Sequence, residues 1–309
     1  MNNIIKINVF LITSAALTFF SIIGSAQSDA IPGFPEQKQE MIKLGLQYDS
    51  AWALYQLFEK KVDRKILEAN NLPDWRGLWE HTCGARRYDC DREGDFPSAS
   101  LKGEYLKMMQ EIISLNDEGF LWDPGGECGV ARGYPGMLKN GRPHEFAVTP
   151  HQTWHLGQAR NEIRRIYTDG RGHVPEDWAY DTEHGDTIGF WDGDKLVTHT
   201  MYTDGGRMGR MLPHFSNQLQ GTEIWQRVDE DTIQGHVWIY DAEALEEPWY
   251  TLQVYKRMHQ EVGQPLRLQY WWNCQAPNNK VVVTEDGGTT FLDFDFTDMD
   301  DLSPKEGTQ

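Results

Sequence analysis

Residues 164–173, RRIYTDGRGH, gather three arginines, an aspartate and a histidine around one tight turn. Two later segments add titratable groups: PHFSNQ carries His214, and TEIWQRV carries Glu223 beside Trp225 and Arg227. A glutamate or histidine held in a partly desolvated pocket reaches a pKa near neutrality and can take or return a proton. Glu223 or His214 is therefore a candidate to take one, and His199, in KLVTHTMYT, to give it back. Arg171, with Asp169 and His173, would orient a substrate. Each of these also has a purely structural explanation. Asp169-Gly170 is turn chemistry in its own right, Arg165 and Arg171 can pair with nearby carboxylates, and Glu223 with Arg227 reads equally as an exposed charge pair on a strand.

Other reaction classes lack their motifs. The chain has no G-x-S-x-G, phosphate loop, dinucleotide fingerprint or H-E-x-x-H. No cofactor is expected, and proton-transfer chemistry of the isomerase, lyase or hydratase type fits better than covalent catalysis. His151 and His155 stand on one strand face about 13 Å apart, too far to share an ion. His199, His214 and His236 would have to converge in three dimensions, so no metal ligands are assigned and a metal-dependent hydrolase is kept as an alternative.

The elements that must position these groups are legible from hydropathy. The opening MNNIIKINVFLITSAALTFFSIIGSA has a lysine, an apolar run and small residues at Gly24 and Ala26, the pattern of a secretory signal over residues 1–26. The run is also near the length of a membrane anchor, but the polar QSDA that follows favours removal. A periplasmic or secreted chain without stable membrane insertion is expected. With 29 basic against 47 acidic residues the charge is −18, which argues against nucleic acid or an anionic membrane as partner. Cys83, Cys90, Cys128 and Cys274 can pair in an oxidising compartment, with three connectivities open, Cys83–Cys90 among them.

Residues 27–72 form an N-terminal helical segment, since apolar residues between Gln37 and Asn70 recur in threes and fours with Gly45 as the one interior breaker. A further helix is expected over 102–114. PDWRGLWEHTC, where Trp75, Gly77 and Trp79 alternate, reads as a strand, and beyond Glu145 short alternating runs follow one another: QTWHLGQ, EIRRIYT, TIGFW, KLVTHTMYT, TEIWQRV, TIQGHVWIY, YTLQVYKRMH, LRLQYWWNC, KVVVT and TTFLDFDF. Asp-Gly-Asp between TIGFW and KLVTHTMYT marks a hairpin. Ten or so sequential strands make residues 73–297 a mainly β domain, an antiparallel meander that must close into a barrel or fold into a two-sheet sandwich. The acidic tail over 298–309 is expected to be disordered.

Six ordered segments, PDWRGLWE, HEFAVTP, RRIYTDGRGH, TIGFWDGDKLVTHT, PHFSNQLQGTEIWQRVDEDTI and EEPWYTLQVYK, together resemble a family of exported bacterial proteins of uncharacterised function whose apparent architecture is similar to the lipocalin-like barrels. The resemblance implies that Arg165, Tyr167, Asp169, Arg171 and His173 belong to one motif and His214, Ser216 and Glu223 to another. Three departures stand out: His199 replaces an aspartate, Val174 a proline, and CGVARGYPG a C-x-P-x-G-M-P-R segment.

The leading expectation is therefore a lipocalin-like barrel with N-terminal helices that performs acid–base chemistry on a small hydrophobic or aromatic molecule in its cavity. Glu223, His214 and His199 would act on the substrate, and Arg165, Tyr167, Asp169, Arg171, His173, Trp191 and Trp225 would bind it. The alternative is a barrel of the same kind that binds such a molecule without chemistry.

Overall fold

The computed structural model describes residues 35–62, 66–82, 99–118, 133–139, 143–207, 213–259, 268, 281–283 and 289–291. The signal-like opening, the four cysteines and the acidic tail lie outside the described residues, as does nearly all of LRLQYWWNC.

Helices α1 (Pro35–Gly45), α2 (Ala51–Glu59) and α3 (Gly103–Asp117) lie within the stretches of helical periodicity, with Gly45 ending α1, but the helix expected to run on to Asn70 stops at Glu59 and residues 66–72 are not helical. The described residues form thirteen strands, the first lying between α2 and α3: β1 (Leu78–His81), β2 (His144–Val148), β3 (Gln152–Gly157), β4 (Glu162–Tyr167), β5 (Asp186–Asp192), β6 (Lys195–Met201), β7 (Gly206–Arg207), β8 (His214–Phe215), β9 (Gln220–Asp229), β10 (Thr232–Tyr240), β11 (Trp249–Arg257), β12 (Val281–Val283) and β13 (Thr289–Phe291). Nine of them close a barrel in the order β1-β11-β10-β9-β6-β5-β4-β3-β2. The protein is mainly β, a closed lipocalin-like barrel and not a sandwich.

Three details correct the meander. Strands β4 and β5 pair in parallel, over only Ile166–Thr187 and Tyr167–Ile188, because residues 168–185 cross back to the end of the wall from which β4 started. The other eight joints are antiparallel. Strands β7 with β8, and β12 with β13, form separate two-stranded ribbons outside the ring. Trp75 precedes β1 and does not lie on it, although it is buried beside Trp79.

Alternation along each strand sends one row into the barrel and the next outward. Trp191, Leu196, Trp225, Ile233, Val237 and Tyr255 fill the interior together with Trp75, Trp79 and Phe146. The segment Gly133–Lys139 also enters it, with Tyr134, Met137 and Leu138 buried. Gly221 and Gly235 are required by this packing: a Cβ at Gly221 would collide with the Tyr134 hydroxyl, and one at Gly235 with the Trp225 ring. The barrel is thus packed from within by side chains from its wall and by one returning segment.

The outer row of β5, β6, β10 and β11 is apolar too, which is why the helices cover it. Ser50 caps α2 by accepting from the Ala53 amide at 3.2 Å, and Ala51, Leu54, Tyr55 and Phe58 then face the wall at helical spacing. They pack on Ile188, Phe190, Val197, Trp238, Tyr240 and Tyr250. Trp238 Nε1 donates to the Met41 carbonyl and the Tyr240 hydroxyl to that of Gly45, both at 2.8 Å, so the end of α1 is pinned to the same face.

Candidate functional site

Inside the barrel the dominant feature is an ion pair. Arg164 on β4 and Glu223 on β9 are 1% and 0% exposed, and the guanidinium grips the carboxylate with Nη2–Oε1 at 2.9 Å and Nη1–Oε2 at 3.0 Å. Arg164 Nη2 also donates to Thr200 Oγ1 at 2.8 Å, its guanidinium carbon lies 4.6 Å from the Tyr134 ring centre, and Trp225 Nε1 donates to Glu223 Oε2 at 2.5 Å. Both oxygens of Glu223 are engaged by donors on the protein.

Histidines extend the polar interior. His144 Nδ1 and His155 Nε2 stand 2.9 Å apart, and His81 Nε2 lies 2.8 Å from Gln253 Oε1. Burial, reinforced by His144 and then Arg164 nearby, pushes His155 well below the usual histidine range. Burial likewise pulls His81 down to about 3, opposed by the Gln253 hydrogen bond. The Tyr255 hydroxyl is shifted well up, by burial first and then by the Glu223 charge, and donates to the Leu138 carbonyl. His81, His155 and Tyr255 are therefore neutral packing and hydrogen-bonding elements at pH 7.

A second chain of polar groups runs along the outside of the wall. Asp186 Oδ2, at the start of β5, lies 2.7 Å from His173 Nδ1 and accepts from the Val174 amide at 3.0 Å. His173 Nε2 lies 2.7 Å from His199 Nδ1 on β6. Rings from α2 cover both histidines, Trp52 lying 5.8 Å from His173 and 5.1 Å from His199 between centres, and Tyr55 5.7 Å from His199. Burial, and secondarily His173, depresses His199 to about 3. Desolvation works to raise Asp186, but the His173 and Val174 hydrogen bonds outweigh it and leave its carboxyl below the ordinary range.

Beside this chain, over the parallel β4–β5 joint, lies a groove of about 500 Å³, within the size range of small-molecule sites. Its lining includes Arg165 and Tyr167 from β4, Trp178, Tyr180 and His184 from the crossover, and Asp186. Ile163, Val174, Trp178 and Tyr180, four of the exposed large apolar side chains, all belong to it, with Trp178 79% and Tyr180 78% exposed. Tyr202, also in the lining, adopts φ +60°, which costs a bulky residue on the order of 1–2 kcal/mol. His184 is pulled down to about 4 by burial and by the Arg164 charge, and its buried Nδ1 has no hydrogen-bond partner among the described residues.

The residues singled out in the sequence therefore divide between the two faces. Glu223, Trp191 and Trp225 point inward; His199 points outward, because Thr198, not His199, stands opposite Glu223. His173 and His199 come together, and Arg165 and Tyr167 meet in the groove. Arg171 closes on Asp169 at 2.6 Å and covers the Tyr167 ring at 4.3 Å, while Gly170 takes φ +85°, so the turn reading of Asp169-Gly170 holds. His214 is half-buried on the β7–β8 ribbon, and Ser216 nearby donates through its amide and hydroxyl to buried Asp241, both at 2.7 Å. No group of three metal-ligating side chains forms among the described residues.

Sequence reasoning missed Arg164, Asp186, His184, Trp178 and Tyr180. Arg164 had a signal: alternation places it in the row of Ile166, where a charge needs a buried partner. Trp178, Tyr180 and His184 sit in an irregular crossover, where no periodicity reports on facing, and Asp186 is the first residue of β5. Comparison with protein-family models gave no match, and neither did comparison with curated proteins.

Two outcomes test this description. Glu223→Gln leaves the Arg164 charge uncompensated and should lower unfolding free energy by about 3–5 kcal/mol, whereas Arg164→Met with Glu223→Leu should cost much less; an unchanged urea midpoint in the single variant would contradict the buried pair. The second concerns acid. His81, His155 and His199 have folded pKa values depressed below the unfolded histidine value, so the unfolded chain binds protons that the folded one does not. Stability is fully present above about pH 6.5 and should fall towards pH 3 by up to about 1.4 kcal/mol per pH unit for each histidine. A urea midpoint that stays flat from pH 7 to pH 5 would rule this out.

Proposed function

We propose that this protein is an exported barrel that binds a small hydrophobic or aromatic molecule in the groove over the β4–β5 joint. One observation carries the reading: apolar and aromatic side chains that are otherwise costly to expose, Ile163, Val174, Trp178 and Tyr180, converge on one concavity of ligand size. The signal-like residues 1–26 support export. The packed interior, where Glu223 is taken up by Arg164 and Trp225, favours the outer groove over the barrel lumen as the binding place.

Covering two aromatic rings with ligand is worth roughly 2–3 kcal/mol. Trp178→Ala with Tyr180→Ala should therefore weaken binding of the neutral probe N-phenyl-1-naphthylamine by more than about tenfold. Equal affinity for both proteins, read by fluorescence titration, would remove the groove from the binding function.

A second reading, acid–base chemistry of the isomerase or lyase type, is favoured by Asp186, which lines the groove and also bonds His173. A proton taken at this carboxylate can be relayed along His173 towards His199. In heavy water an aryl ketone bound in the groove should exchange its α-hydrogens for deuterium faster with the native protein than with His173→Gln; the same rate for both would sink this reading.

A further inference from the structure

Arg165 stands apart among the groove residues. It is exposed and lines the groove, and its guanidinium lies 5.4 Å from the centre of the Trp154 ring, its cross-strand neighbour on β3. Among the described residues no carboxylate forms an ion pair with it. The other arginines with described side chains, Arg76, Arg164, Arg171, Arg227 and Arg257, each have a carboxylate within 4 Å. Arg171, four residues past the end of β4, is closed on Asp169, and Arg164 on Glu223.

The acidic groups around Arg165 do not satisfy it either. Asp186 gives one oxygen to both His173 and the Val174 amide. Glu183 is exposed at the groove, where water and salt screen its charge. His184 adds a neutral ring, burial and Arg164 holding it at about 4, with a buried Nδ1 that lacks a partner among the described residues. A planar guanidinium with no carboxylate on it among the described residues and the neutral His184 ring thus share one concavity with Tyr167, Trp178 and Tyr180. A guanidinium held against an aromatic face has little orientational freedom left to lose, and its fork matches a carboxylate.

We propose that the groove selects an aromatic carboxylate, its ring against Trp178 and Tyr180 and its carboxylate on Arg165. This rests on the groove being the binding place. The ligand's charge takes the role that Asp169 plays for Arg171 and Glu223 for Arg164.

Three near-isosteric probes test it by isothermal titration: 2-naphthoate, 2-naphthamide and 2-naphthylmethylamine. The native protein should bind 2-naphthoate about tenfold or more tightly than 2-naphthamide, since a charge-assisted contact outweighs a neutral one by that order. In Arg165→Gln the ratio of the two affinities should fall to about one, and Arg165→Lys should keep part of it, as a charge without the planar fork. The Lys variant also preserves the test if Arg165→Gln does not fold. Equal binding of naphthoate and naphthamide, or tighter binding of the amine, overturns the carboxylate while leaving the groove in place. Failure of all three to bind removes the groove itself and this inference with it.

Discussion

The contact between Arg164 and Glu223 ties together strands that are not neighbours in the wall. Strands β5 and β6 stand between β4 and β9, and their hydroxyls, Thr187 Oγ1 and Thr200 Oγ1 at 3.0 Å from one another, complete the arginine's surroundings. Two charges taken out of water are tolerated only when they meet, so the pair acts on register. A slip of β4 by one residue would turn Arg164 outward and Arg165 inward and reverse every other side chain with them. It would also leave Ile166 in solvent. The same constraint on β9 keeps Glu223 and Trp225 inside, and through the pairing of Thr198 with Glu223 it sends His199 to the outer face.

Much of this architecture was legible in the sequence where local chemistry decides it. Asp-Gly-Asp between two alternating runs became the β5–β6 hairpin, with Gly193 at φ +62°, and the helical spacing of Ala51, Leu54, Tyr55 and Phe58 became the buried face of α2. The parallel joint was not legible, because it depends on how far residues 168–185 travel before β5 begins, and hydropathy carries no record of distance. Strand β2 lay in a stretch not read as a strand, and the two ribbons outside the ring alternate like barrel strands without belonging to them. Membership of a ring is a long-range property.

The candidate site was half legible for the same reason. Arg165 and Tyr167 share a face by simple alternation, and both reach the groove. Grouping Glu223 with His199 failed at the level of geometry, since residues on adjacent strands share a face only when their registers agree in parity. The wall of this barrel carries polar chemistry on both sides: a closed ion pair and buried histidines within, a carboxylate–histidine–histidine chain and the Arg165 guanidinium without. The inner groups find their partners in the fold. Arg165, outside, packs on Trp154 and meets no carboxylate among the described residues.

The two-pair parallel joint has a consequence for how such a protein can change over generations. The crossover bearing Trp178, Tyr180 and His184 contributes no strand to the ring, whose other eight joints are built without it. Substitutions there can reshape the groove while the hydrogen-bonded ring stays as it is. The groove thus has two kinds of wall: crossover residues that can vary apart from the strand pairing, and Arg165, Tyr167 and Asp186, which belong to the ring strands themselves.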